Sequence, residues 1–221
     1  MNISSFGNVM HYVSVVSSPA VAEANNVEQV SSSERIPGHS TNDVEEKPFY
    51  EYQEKPWLTE KGFENCRDRE DYVLHKKRVM EIDLSLTQIR YTVFMKKLAE
   101  THPEIAEKNF GFTLDENACI KIINYNDSLT DSEKNVLTEA FNDFEGMKAG
   151  LRSTARGLMT LVDHDLKTFE GRYSLDIENF QNVIDFGKLL SSSQESREAE
   201  WVRQIESYAD RRDSAYISLT V

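Results

Sequence analysis

The sequence predicts a mainly α fold: an antiparallel pair of long helices, two shorter helices, and a small β-hairpin or three-stranded sheet. Three observations carry that expectation. Apolar residues recur in steps of three and four over two long stretches, near residues 72–98 and 137–162. A capping box, Thr130-Asp-Ser-Glu133, marks where the second stretch begins. Runs with β character are few and short.

Taken in chain order, residues 1–60 read as a disordered, Ser-rich segment and residues 61–221 as the helical domain. The first 55 residues show no helical or strand period, and Ser31-Ser-Ser33 and Pro37-Gly38 punctuate them. Such composition buries too little surface to offset the entropy of ordering. Residues 48–58 mix Phe49, Tyr50, Tyr52 and Trp57 with proline, and read as a lead-in draped over the first helix.

The first helix is expected from about Arg67 to His102, where Pro103 disfavours helical backbone before it. Its seam is Tyr72, His75, Val79, Ile82, Leu86, Ile89 and Val93. Val73, Met80, Leu84, Tyr91, Phe94 and Leu98 broaden it. A stripe that wide indicates burial against more than one neighbour. Residues 104–108 add one more turn.

Residues 110–114 and 119–124 are rich in aromatic and β-branched side chains, and Asp115-Glu-Asn-Ala118 between them is turn chemistry, so they form a hairpin. The second long helix follows Thr130. Its seam is Leu137, Phe141, Phe144, Leu151, Ala155, Leu158 and Val162, with Lys148 filling the gap. Gly146, Gly150 and Gly157 interrupt it and indicate a kink or a close approach of helices. Ser174 is expected to cap a short helix closed by Gly187. Ser192-Ser-Gln-Glu195 opens another, carrying Trp201, Val202, Ile205 and Tyr208. The tail alternates Ile217, Leu219 and Val221 with polar residues, which predicts a third strand on the hairpin.

Composition excludes several classes of function. With 25 basic and 38 acidic residues the net charge is −13, which disfavours direct nucleic-acid binding and docking on an anionic membrane. No apolar run reaches the length of a membrane span. Cys66 and Cys119 do not make a disulfide framework. Asp163, Asp165, Glu170 and Asp176 superficially suggest calcium. Counted from Asp163, however, the required Gly and Glu positions hold Thr168 and Ser174.

The motifs GxSxG, HExxH, GxxxxGKS and GxGxxG are all missing. A Cys66 nucleophile would need a spatial partner from His75, His102 or His164, and sequence does not choose among them. No catalytic, cofactor-binding or metal-ligating residue is assigned, and no cofactor is expected.

The opening of the chain does not fit a secretory signal, because no Lys or Arg precedes the apolar residues near Val13 to Val16. It carries other features. Ile3 is aliphatic, residues 1–12 contain no Asp or Glu, and nine of the first 50 residues are serine. In these respects it resembles the N-termini of bacterial type III secretion effectors. That resemblance implies an exported protein that acts in a host cell by protein–protein interaction, with a protein partner and a secretion chaperone. The alternative is a bacterial cytoplasmic adaptor or regulator with a plain N-terminal tail.

Overall fold

The computed structural model describes residues 48–212. The described elements are mainly α, with two small antiparallel sheets of two strands each. In chain order they are α1 (Arg69–Thr101), α2 (Pro103–Ala106), β1 (Phe110–Leu114), β2 (Ile120–Asn124), α3 (Asp131–Asp143), α4 (Met147–His164), α5 (Leu166–Phe169), β3 (Tyr173–Ser174), α6 (Ile177–Val183), α7 (Phe186–Ser191), α8 (Gln194–Tyr208) and β4 (Asp210–Arg211).

Local chemistry sets the boundaries. Asp68 caps α1 by accepting from the Asp71 amide, and α1 ends at Thr101, just before Pro103 opens α2. Thr130 and Glu133 form the reciprocal capping box at the start of α3. Glu133 also takes the Lys108 ammonium at 2.7 Å, and the ammonium and the backbone donor hold its carboxyl down at about 2. Asp176, not Ser174, caps α6, which ends at Val183 with Ile184 as its C-cap, while Gly187 lies inside α7. The cap of α8 is Ser193, one residue beyond the expected Ser192.

The second long helix is two helices. Gly146 has φ +75°, a left-handed conformation that breaks the run between α3 and α4. A Cβ there would lie 3.0 Å from Arg90 Nε. Beyond the break, α4 runs antiparallel to α1, so that Thr87 meets Gly150, Asp83 meets Ser153 and Met80 meets Gly157. Gly150 makes this approach possible: a Cβ there would lie 2.4 Å from Thr87 Oγ1.

The core lies along this pair. Met80, Leu84, Phe94 and Leu98 of α1 are buried against Leu151, Ala155, Leu158 and Val162 of α4, together with Leu137 and Phe141 of α3. The hairpin pairs Phe110 with Asn124 through Leu114 with Ile120, and β1 is buried along its whole length. Phe112 stacks between Phe141, at 4.5 Å between centroids, and Phe186 of α7. A marginal two-stranded hairpin is thereby held on both faces. The second sheet pairs Tyr173 with Arg211, closing the end of α8 onto the chain after α5. The strand expected at residues 216–221 lies outside the described residues, as does most of the Ser-rich segment.

The packing of α1 also departs from expectation. The seam Val79, Ile82, Leu86, Ile89 and Val93 does not pack on the second helix: all five residues are exposed, and the flanking set takes the core positions. In α4, Met147 rather than Lys148 fills the gap in the seam.

Candidate interaction surface

Helix α1 carries two heptad seams. Met80, Leu84, Thr87, Tyr91, Phe94 and Leu98 step by four and three and face inward. Val79, Ile82, Leu86, Ile89 and Val93 step by three and four and are between 45% and 62% exposed. At about 100° per residue the two seams lie roughly 140° apart. The outer seam therefore points away from α4. Over residues 79–93 it extends about 21 Å. Scattered apolar residues on a surface need no explanation, whereas a contiguous apolar stripe marks a contact site.

Neighbouring elements hold this face rigid from both sides. On one side Asp83 accepts from Ser153 Oγ at 2.7 Å, and Arg90 lies against Gly146. On the other, the buried Arg197 of α8 reaches Glu81 and Ser85 at 3.2 Å and Gln88 at 2.7 Å. Gln88 in turn donates to the Leu190 carbonyl at 2.9 Å. Burial raises the Glu81 carboxyl despite the opposing pull of Arg197. The outer seam thus sits on a helix clamped along its flanks, with its own side chains free.

The residues considered for chemistry at the sequence level do not assemble. Burial, with Asp71, Asp68 and Glu64 nearby, pushes the Cys66 thiol upward, opposite to what a nucleophile needs. No hydrogen bond joins its sulfur to a histidine among the described residues. Cys119 accepts from Lys148 Nζ at 3.7 Å, on the hairpin far along the sequence from Cys66. His75 is exposed and contacts the Asp71 carboxylate at 3.3 Å, while His102 sits beside Glu104 at 3.6 Å. Asp163 accepts from Tyr50 Oη at 2.6 Å and also binds Arg212. Asp165 pairs with Lys77 at 2.8 Å. No group of three or more potential metal ligands occurs among the described residues.

Among the described residues His164 is the one histidine in the interior. It is 2% exposed, its ring stacks on Tyr52 at 5.5 Å, and Nδ1 has no hydrogen-bond partner among the described residues. Burial lowers its pKa. It borders a cleft of about 370 Å³ that runs under residues 48–63, between α1 and α4, and Lys76, Asp83 and Arg156 also line it. Lys76 is already bound to Glu60 and Asp83 to Ser153, so the cleft lacks a converging set of free polar groups.

No family model, curated protein or solved structure matches this chain. Among the described residues no helix is long and apolar enough to cross a membrane.

The outer seam is visible in the sequence as a heptad pattern, and its period alone assigns it to the core. Periodicity alone does not show that the flanking set, with Met80, Leu84, Tyr91, Phe94 and Leu98, is the seam that faces inward.

Proposed function

We propose that this protein acts by binding another protein through a helix laid along the outer face of α1. The observation that carries this reading is the exposed stripe of Val79, Ile82, Leu86, Ile89 and Val93 in unbroken heptad register. That register is complementary to a helix, whose own apolar residues recur every three and four positions, and not to an extended strand. Binding would leave the body unchanged, because the flanks of α1 are already fixed by α4 and α8.

The direct test is amide chemical-shift mapping with a three-heptad Leu-seam peptide whose flanking positions are all Gln. The expected shifts cluster on residues 79–93. Shifts spread evenly over the body, or none at millimolar peptide, would refute the reading.

We infer also that the chain is a type III effector-like protein exported into a host cell. This rests on Ile3, the acid-free first twelve residues and the nine serines in the first 50. Residues 1–50 fused to a reporter should leave the cell through that apparatus, and a chain lacking residues 2–30 should stay behind. Normal export of the shortened chain would instead favour the cytoplasmic adaptor.

A further inference from the structure

We propose that the helix docking on α1 is acidic: an amphipathic helix whose Leu or Ile seam is bordered by Glu and Asp. This rests on the reading of the outer face of α1 as a helix-docking surface and adds the chemistry of its occupant.

The argument is one of charge left over. The chain as a whole is strongly acidic, at −13, yet residues 75–97 of α1 hold six basic side chains and only two acidic ones. Two of the six are engaged internally: Lys76 with Glu60, and Lys77 with Asp165 and Glu198. Both acids are engaged as well, Glu81 by Arg197 and Asp83 by Ser153. Arg78, Arg90, Lys96 and Lys97 form no ion pair among the described residues.

On the α4 side of the stripe, Arg156, which lines the same cleft as Val79, adds one more cation without an ion pair among the described residues. Its guanidinium lies 5.1 Å from the Phe49 ring, whereas Arg152, 5.2 Å from the same ring, donates to the Ala118 carbonyl of the hairpin turn. Partial desolvation, and after it the neighbouring Arg152, lowers the Arg156 pKa, while Asp83 pulls the other way.

A rim of cations around an aliphatic stripe selects its partner. Carboxylates at the flanking positions of a docked helix would reach these cations as they do between the e and g positions of a coiled coil. A second copy of this chain would set the basic rim against itself. A helix with Lys flanks would meet the same repulsion, which is how like charges exclude wrong partners. An anionic membrane could satisfy the cations. But the stripe is purely aliphatic, without the Trp or Phe typical of interfacial helices, and the rest of the chain is acidic.

The test uses the full chain and three labelled three-heptad peptides that share one Leu seam and carry Glu, Gln or Lys at the flanking positions. Fluorescence anisotropy should show the Glu peptide binding roughly tenfold or more tighter than the Gln peptide, with the Lys peptide weaker still. Raising salt from about 50 mM to about 500 mM should erase the difference between the Glu and Gln peptides. Arg78→Glu combined with Lys97→Glu should shift preference toward the Lys peptide. Ile82→Asp with Leu86→Asp should abolish binding, and since both positions are exposed the thermal midpoint serves to show that the variant is folded.

Equal binding of all three peptides would overturn the acidic occupant and leave helix docking standing. Failure of all three would overturn both. Self-association by sedimentation, lost in Ile82→Asp, would give the face to a second copy. Flotation with phosphatidylserine vesicles, lost in the same variant, would give it to a membrane. Either result would overturn the proposal.

Discussion

At the residue scale, the contact between α1 and α4 turns on atoms that a sequence pattern does not display. Gly150 has no side chain because Thr87 Oγ1 occupies the place of a Cβ. Gly150→Ala would favour the helix by roughly 1 kcal/mol through propensity alone. It would also force an overpacked contact that costs about 1–3 kcal/mol. We expect net destabilisation in urea, relieved when Thr87→Ala is added, since only the hydroxyl stands in the way. A double-mutant cycle without a favourable coupling term would disprove this account. Gly157 lies 3.2 Å, in the same sense, from the flexible Met80 side chain, which can give way, so Gly157→Ala should be milder.

His164 offers a second prediction at this scale. Its pKa is lowered in the folded protein by burial, with Asp163 pulling the other way and Arg69, Arg212 and Lys76 adding to the lowering. The rings of Tyr52 and Tyr72 cover it. An unfolded chain, with His near 6.5, therefore binds the proton more readily than the folded one. Stability is complete above about pH 6.5 and falls as pH drops from there toward the lowered folded value. Denaturation of the wild type between pH 7 and 5 should show a steeper loss than His164→Phe. Parallel curves would mean that the ring is solvated in solution.

At the element scale, the prediction separates the two seams of α1 from that of α4. Leu158 is fully buried, so Leu158→Ala should cost roughly 2–5 kcal/mol. Leu86 is 47% exposed, and Leu86→Ala should stay near the usual surface range, within about 0.5 kcal/mol. Similar losses for the two in guanidinium melts would place Leu86 in the core after all. The comparison also shows what was legible. The ends of α1, the hairpin and the Thr130 capping box follow from local chemistry, and residue types at those places announce them. Which of two heptad seams faces inward does not follow, because periodicity measures a face and not its partner. The signal that could have decided it is complementarity: Met80 and Thr87 lie opposite Gly157 and Gly150, whereas the outer seam has no matching small residues. The glycines at 146, 150 and 157 do signal a kink or a close approach; which glycine breaks the helix and which two admit α1 is fixed by backbone and packing, not by composition.

At the scale of the whole molecule, the segment before α1 acts as a strap. A boundary near residue 60, the reading composition favours, falls inside it: its aromatics attach one by one to the ends of the helical pair. Phe49 lies under Arg152 and Arg156 of α4, and Tyr50 donates to Asp163. Tyr52 stacks on His164, while Trp57 and Phe63 close on Tyr72 of α1 at 6.2 and 5.0 Å. Glu60 completes the clasp by accepting from Tyr72 and Lys76. None of this had a periodic signature, because each contact is made by a single residue on irregular backbone. The strap ties the start of α1 to the end of α4, the places where an antiparallel pair frays first. Its contribution can be isolated by comparing a chain that begins at Pro48 with one that begins at Lys61. The shorter chain lacks Phe49, Tyr50, Pro56 and Trp57, and should melt clearly lower, by about 2–4 °C for each kcal/mol lost. Hydrogen exchange should quicken first at residues 72–76 and 160–164, with the hairpin amides unchanged. Equal midpoints and equal exchange for the two chains would show that the strap merely rests on the body and holds nothing together.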